Sequence, residues 1–288
     1  MAFIVAGGCK GLVAWNSLSK KCKTVEIDYD ISRIAFVDGL AVCMSSDLHI
    51  YDASTMLPAG RMQGHSKSIT SFFFKSSLLY TTSEDGMVFA WDLKSKHPVK
   101  SVCVGSPVAS GVVYRDEIYL SDYSGRIYKK DVLAGKGRGN CCLYLEKYKD
   151  ELIGYNRMGR MGIVSANSPN TLEDAITVGA GYGTRCAAGE VLAAGSSQGM
   201  GFVEKVNGGL KTVGFVDTPG WVWDIQFSSA TKEVFYACSS GALGKVSLCS
   251  LDGANQRERP SAIASTVEFS VDYPLKALGV QNEQRMSY

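Results

Sequence analysis

Proline, histidine and net charge are all scarce in this 288-residue chain, which holds 7 Pro, 3 His and a formal charge of +2. Each shortage excludes something. His49, His65 and His97 share no metal-ligand spacing with one another or with a cysteine, so no metal site is expected. The near-neutral charge gives no global bias towards nucleic acid or a membrane surface. No apolar run approaches the twenty or so residues of a membrane span. The start, MAFIVAGG, has no basic region of the kind that opens a signal peptide. The nine cysteines include no C-x-x-C pair, and no Asn-x-Ser/Thr acceptor is present. Most cysteines sit in apolar runs and read as small buried hydrophobes. A reducing compartment follows as the expectation: cytoplasmic, with the nucleus as the alternative.

What is present is a 45% hydrophobic composition, punctuated by 31 Gly. Gly64 to Asp92, GHSKSITSFFFKSSLLYTTSEDGMVFAWD, is the most informative stretch. Its apolar runs are short and bounded by turn residues, which is the signature of strands. Asp85-Gly86 between two such runs predicts a tight primed hairpin turn, which needs positive φ. From its Gly-His to its Trp-Asp the stretch resembles one WD40 repeat. The resemblance implies a β-propeller and a buried hydrogen-bonded set at the matching positions, His65, Ser83, Asp85 and Trp91. The donor and acceptor chemistry suits that set, since Trp can only donate and Asp can only accept.

Repeats of this class recur every 40–45 residues or so, which gives roughly seven in a chain of this length. Seven units can be placed. Phe3 to Gly7 and Leu12 to Asn16, with Lys23 to Ile27 outermost, put Trp15 in the Trp91 position. Ile34 to Phe36, Leu40 to Met44 and Leu48 to Asp52 follow, and Gly64–Asp92 is the third unit, closing with Val99 to Val104. The fourth holds Val108 to Tyr114, Glu117 to Ser121, a turn at Tyr123 to Gly125, and Ile127 to Asp131. The fifth holds Cys142 to Leu145, Leu152 to Tyr155, a turn at Met158-Gly159, Gly162 to Ser165, and Ala175 to Val178 outermost. The sixth holds Thr184 to Ala187, Val191 to Gly195, a turn at Gln198-Gly199, and Gly201 to Glu204. The seventh holds Val222 to Phe227, Val234 to Cys238, a turn at Ser240-Gly241, and Leu243 to Leu248. The expected fold is therefore all-β: one seven-bladed propeller domain over residues 1–288.

The chain begins at what reads as the second strand of its first sheet. An unpaired sheet edge invites aggregation, so a C-terminal strand should complete that sheet. Ile263 to Phe269 is the favoured candidate and Leu275 to Val280 its rival, the loser being a tail packed on the edge. Gln281 to Tyr288 reads as frayed, and Asp252 to Pro260 as an exposed loop.

Gly195-Ser196-Ser197-Gln198-Gly199 satisfies the G-x-S-x-G pattern of hydrolases, which would make Ser197 a nucleophile. That elbow needs a strand leading into a helix, whereas here it falls on a hairpin. No catalytic role is therefore expected. Gly179 to Gly183 resembles part of a dinucleotide loop but precedes no helix, so no cofactor is expected. Basic clusters at Lys20, Lys21 and Lys23, and at Arg126, Lys129, Lys130, Lys136 and Arg138, read as solvated surface diluted by Asp28, Asp30 and Asp131. The alternative for these clusters is an acidic partner or nucleic acid.

The residues that begin each innermost strand are better candidates for a partner surface. Carrying the register of Ser68-Ile69 across the units selects Arg33, Trp221 and, two residues on, Trp223. Trp and Arg are the residues most enriched at binding hot spots. A narrower resemblance adds Arg185. Tyr182-Gly183-Thr184-Arg185-Cys186, with Val191-Leu192 and Gln198 to Glu204, is similar to one blade of the spindle-checkpoint and mRNA-export WD40 propellers. Ala262 to Ser270 is similar to their last blade. The resemblance implies that Arg185 pairs with acidic residues of a peptide motif. The functional expectation is a non-catalytic adaptor docking protein partners or peptide motifs in a multiprotein complex. The alternatives are a checkpoint- or export-type adaptor, an actin-associated propeller, and a hydrolase using Ser197.

Overall fold

The protein is described by a computed structural model covering residues 2–16, 19, 21–129, 132–135, 142–165, 172–178, 182–207, 209–229, 231–248, 265–271 and 275–282. Among these residues are 28 strands and no α-helix. They form seven sheets of four strands, the blades of a β-propeller. The first joins β1 (Ala2–Gly8), β2 (Gly11–Asn16) and β3 (Cys22–Glu26) to β28 (Leu275–Asn282), in the order β28-β1-β2-β3. The other six follow the chain. The second is β4 (Arg33–Val37), β5 (Leu40–Met44), β6 (Leu48–Asp52) and β7 (Pro58–Met62). The third is β8 (Ile69–Lys75), β9 (Leu78–Ser83), β10 (Met87–Asp92) and β11 (His97–Cys103). The fourth is β12 (Val108–Tyr114), β13 (Glu117–Asp122), β14 (Ile127–Lys129) and β15 (Val132–Gly135). The fifth is β16 (Cys142–Tyr148), β17 (Glu151–Asn156), β18 (Arg160–Val164) and β19 (Leu172–Thr177). The sixth is β20 (Gly183–Ala188), β21 (Leu192–Ser196), β22 (Gly199–Val206) and β23 (Gly209–Asp217). The seventh is β24 (Val222–Ser228), β25 (Glu233–Cys238), β26 (Ala242–Ser247) and β27 (Thr266–Ser270).

The burial pattern explains the continuous apolar runs in the sequence. Middle strands such as β5, β17 and β25 are buried on both faces after their first residue, so alternation disappears. Outer strands such as β7 and β11 are almost wholly exposed, and carry Pro, Lys and Arg.

The chain divides into two compact units. One holds Met1–Asp28, Tyr155–Gly162 and Asp174–Arg285, and in it β24 packs against β20 and β28. Its core places Phe202, Ile225 and Tyr236 together, and sets Trp15 edge-on to Phe235 at 6.2 Å. The other holds Tyr29–Gly154, Ile163–Glu173 and Met286–Tyr288, and in it β8 packs against β4 and β12. Its core surrounds Trp91 with Ile69, Leu79 and the apolar residues of β5 and β6.

Closure of the first sheet corrects the favoured expectation. β28 pairs with β1 from Ala2↔Asn282 to Gly8↔Leu275, so the rival Leu275 segment supplies the missing strand. It also runs further than expected, taking in Gln281 and Asn282, while residues 283–288 lie outside the described residues. Thr266–Ser270, from the favoured segment, is the outer strand of the seventh sheet rather than a tail. Its spacing from Leu248 was compatible with either place. Burial decides between them, because Leu275, Ala277 and Leu278 are fully buried whereas Thr266 and Val267 are exposed. Each of those leucines is worth about 1.5–3 kcal/mol of apolar transfer.

The third-sheet hairpin also differs from the primed turn expected. Gly86 has φ of 80° but Asp85 is not in the positive-φ region, and Gly86 N–H donates to Ser83 O at 3.2 Å. This is a four-residue turn ending in a left-handed glycine. The same turn closes at Gly125, Gly159 and Gly241, on Asp122, Asn156 and Cys238. Asp122 and Asn156 each cap their own turn, Oδ1 accepting the N–H two and four residues on.

Innermost strands β8, β12, β20 and β24 each have a bulge at their second residue: Thr70, Ala109, Thr184 and Trp223. A bulge re-aims one side chain out of the strand's alternation. Thr70 Oγ1 donates to Val108 O at 2.8 Å, and Thr184 Oγ1 donates to Val222 O, each tying its sheet to the next.

Candidate functional site

Two polar or aromatic constellations stand out, and the first is structural. Trp91 Nε1–H donates to Thr81 Oγ1 at 2.7 Å, and Thr81 Oγ1 lies 2.8 Å from His65 Nε2. His65 Nδ1 lies 2.9 Å from Asp85 Oδ2, which also accepts the Ser66 N–H. Since Trp only donates and Asp accepts, the chain is satisfied with a neutral His65 carrying its proton on Nδ1 and accepting from Thr81 at Nε2. Burial holds His65 below its usual 6.5, against the pull of Asp85. Burial tends to raise Asp85, but the amides of Ser66 and Met87 and the His65 ring outweigh it and leave the carboxyl below 3.8.

The hydroxyl in this chain is Thr81, not the expected Ser83. Ser83 Oγ instead donates to Lys67 O and accepts the Asp85 N–H, both at 3.1 Å. The reason is position along β9. Thr81 pairs with Phe89, two residues from Trp91, and so shares a sheet face with it; Ser83 lies two residues on, at the end of the strand, where its hydroxyl caps the turn instead.

The second constellation lies where β20 and β24 begin. Trp221, 42% exposed, stacks on Tyr182, 63% exposed, at 6.3 Å and 26° between planes. Trp223 in turn lies against Trp221 at 5.7 Å and 38°. The three rings form a file. Tyr182 and Trp221 are each fixed by a two-bond clamp to the turn of their own sheet. Tyr182 N–H donates to Ser197 Oγ at 3.0 Å and Ser197 N–H returns to Tyr182 O at 2.9 Å. Trp221 N–H donates to Ser239 Oγ at 3.0 Å and Ser239 N–H returns to Trp221 O at 2.9 Å. Trp223 occupies the bulge position that Thr184 fills in the sixth sheet, which takes its ring out of the core alternation. The clamp also gives Ser197 a role: it sits on a strand-to-strand hairpin and holds Tyr182 in place. Gly183 beside it admits no larger residue, because a Cβ there would sit 2.2 Å from Asn156 O.

Other expected site residues lie apart from this file. Arg185 Nε is 3.9 Å from Oδ1 of Asp224, and the arginine side chain is 15% exposed. Asp224 is fully buried and accepts Leu278 N–H of β28 at 2.9 Å, as well as the Ile225 N–H. Arg185 thus serves a buried carboxylate at the closing strand. Arg33 belongs to the other unit, half-buried, its guanidinium 5.0 Å from the centroid of the Phe72 ring. Of the basic clusters, Arg126 is paired with Asp122 at 2.6 Å and Lys129 reaches over Tyr119 at 5.9 Å. Lys21 and Lys23 are exposed, and residues 20, 130, 131, 136 and 138 lie outside the described residues. No cluster of metal-ligating side chains occurs among the described residues. Tyr182, Thr81 and Asp224 had not been selected from sequence. Tyr182 could have been, since it precedes its innermost strand as Trp221 does.

No family model matches the chain. Over 138 residues it is 27% identical to the "Target of rapamycin complex subunit wat1" of Schizosaccharomyces pombe, a match covering 44% of this chain and 43% of that protein. The chain therefore matches under half the length of that relative. Among solved structures it resembles the RRP9 WD40 repeats, with TM-score 0.71 and 13% identity over 95% of this chain and 91% of the other. It resembles U3-55K, with TM-score 0.67 and 13% identity over 91% and 90%. The β-propeller domain of Myceliophteria thermophila Cps50 (Swd1) gives 0.61 and 15% over 75% and 83%. At such identities the likeness carries the fold alone.

Proposed function

We propose that this seven-bladed WD40-type β-propeller is a docking platform without catalytic function, presenting the Tyr182–Trp221–Trp223 rim to a protein partner or short peptide motif. The observation that carries the reading is the pair of clamps. Two large aromatic residues are held by both backbone groups while their rings stay in solvent, which lowers the ordering cost of binding. Exposed Trp and Tyr are the residues most used at binding hot spots. The yeast relative is by its name a subunit of a complex, and a place within a multiprotein complex suits a rigid domain of this kind. The buried, unbridged Cys43 and Cys238 suit a reducing compartment, cytoplasmic or nuclear. Residues 1–288 act in this reading as a single propeller domain. The variant in which Arg185 binds an acidic motif is less favoured, because its guanidinium stands beside Asp224.

Affinity purification with the full chain tests the reading, comparing wild type, Trp221→Ala and His65→Ala by quantitative mass spectrometry alongside melting curves. Trp221→Ala is expected to melt close to wild type and lose partners, with a loss of about 2 kcal/mol or more at a hot spot. His65→Ala is expected to melt early. If Trp221→Ala melts as early as His65→Ala, or keeps every partner, the rim is not the docking surface.

A further inference from the structure

We infer that the aromatic file takes a proline-rich segment in the polyproline II conformation, an inference that rests on the docking reading above and names its ligand chemistry. The rings are neither spent nor caged. Among the described residues, the indole N–H groups of Trp221 and Trp223 and the Tyr182 hydroxyl make no hydrogen bond, so three polar ends remain for a ligand with acceptors. The planes are 26° and 38° apart, so the rings lie closer to parallel than to the mutually steep walls of a cation cage. Steps of 6.3 and 5.7 Å each match about two residues of polyproline II at about 3.1 Å per residue, so a segment of about five residues covers the file.

Charge selects against the other common peptide ligands. The segments that carry the rings bring one anion, Asp217, and the β17–β18 turn beside them brings Arg157, whose carbonyl accepts Gly183 N–H, and Arg160 at the start of β18. The adjoining positions are Ser197, Gln198, Thr218, Ser239 and Ser240, all neutral. Arg185, the nearest further cation in β20, stands against Asp224. Two arginines against one aspartate leave a single positive charge, too little to select an acidic peptide and of the wrong sign for a basic one. A proline-rich segment needs none. Its rings pack on aromatic faces, its backbone has free carbonyls to accept from indole N–H, and it arrives already extended, so little ordering entropy is lost.

The probe is the full chain's tryptophan fluorescence. Trp15 and Trp91 are both 1% exposed, so ligand-induced change reports on Trp221 and Trp223. A decaproline peptide, a glutamate-rich peptide, a lysine-rich peptide and a Gly-Ser peptide of equal length are titrated into wild type, Tyr182→Ala, Trp221→Phe and Arg185→Met. Decaproline is expected to give a saturable change, weakened about tenfold or more by Tyr182→Ala. It is expected to be weakened less by Trp221→Phe, which keeps the ring stack but loses the N–H, and to be unaffected by Arg185→Met. Circular dichroism and melting curves confirm that each variant is folded. No response to decaproline, a response indifferent to Tyr182→Ala, or a glutamate-peptide response lost with Arg185→Met overturns the inference. If decaproline fails while Trp221→Ala still sheds partners in the purification, the rim docks something else and only the ligand assignment falls.

Discussion

Replacing Thr81 with Val keeps the shape of the side chain and deletes one hydroxyl. That hydroxyl is the middle link between Trp91 Nε1 and His65 Nε2, at 2.7 and 2.8 Å. Thr81, Trp91 and His65 are all buried, so water cannot replace it. Two groups are left unsatisfied at about 1–3 kcal/mol each, giving about 2–6 kcal/mol in total. Ser83→Ala, at the residue expected from sequence to hold this place, removes one donor to Lys67 O and one acceptor for the Asp85 N–H; Ser83 is buried too, but Lys67 is exposed and Asp85 partly so, which leaves water closer to both freed groups. Its cost is about 1 kcal/mol. Urea unfolding of both variants, with Trp91→Phe and the Thr81→Val/Trp91→Phe double variant, measures the difference and the coupling. Thr81→Val should be the worse by at least about 1 kcal/mol, and the double variant should cost less than the sum of its parts. Equal costs, or a larger one for Ser83→Ala, would falsify the assignment of Thr81 as the buried link.

Three further outcomes are expected. Stability should fall in acid: His65 titrates below 6.5 when folded and Asp85 below 3.8, so the unfolded chain takes up each proton first and the loss begins as pH drops through about 6.5. Melting temperature against pH should show this, and a His65→Gln variant that keeps the same slope between pH 7 and 5 would assign it elsewhere. Truncation after Val271 should strip β28 from β1, unbury Leu275 and Leu278, and take the Leu278 N–H from Asp224, yielding aggregated protein by size-exclusion chromatography. A soluble truncated chain of wild-type stability would refute the closure. Gly183→Ala should cost about 1–3 kcal/mol, since its Cβ must displace the Asn156 carbonyl, and it should shift the fluorescence of the rim; an unchanged melt would mean the backbone there yields freely.

The sequence made the architecture legible because both faces of the middle strands are buried, leaving runs such as LIGYN and VFYAC bounded by turn residues. Outer strands were harder to read. β15 and β23 carried no such run, although Asn207 of the β22–β23 hairpin, at φ 48°, belongs to an Asn-Gly pair that signals a turn. Thr81 was missed because two hydroxyls, Thr81 and Ser83, lie on one face of β9, and only the pairing of Thr81 with Phe89 brings it level with Trp91. Trp221 was reachable by register, but its stacking on Tyr182 comes from two segments 39 positions apart. Nothing local encodes that contact. Arg185 was read as a surface cation because its partner, Asp224, comes from another sheet and is hidden from solvent.

The pairing of β1 with β28 has a consequence for synthesis. Roughly 270 residues separate the two strands, and at about 5–20 residues per second a ribosome takes about 15–50 s to cross that interval. Throughout it, β1 and β2 wait with an open hydrogen-bonding edge, and Asp224 emerges before the amide that will neutralise part of its burial. The vulnerable segment is thus β1, made long before the strand that covers its edge. A factor that shields a bare strand edge, released only when β28 is delivered, would act on this protein at β1.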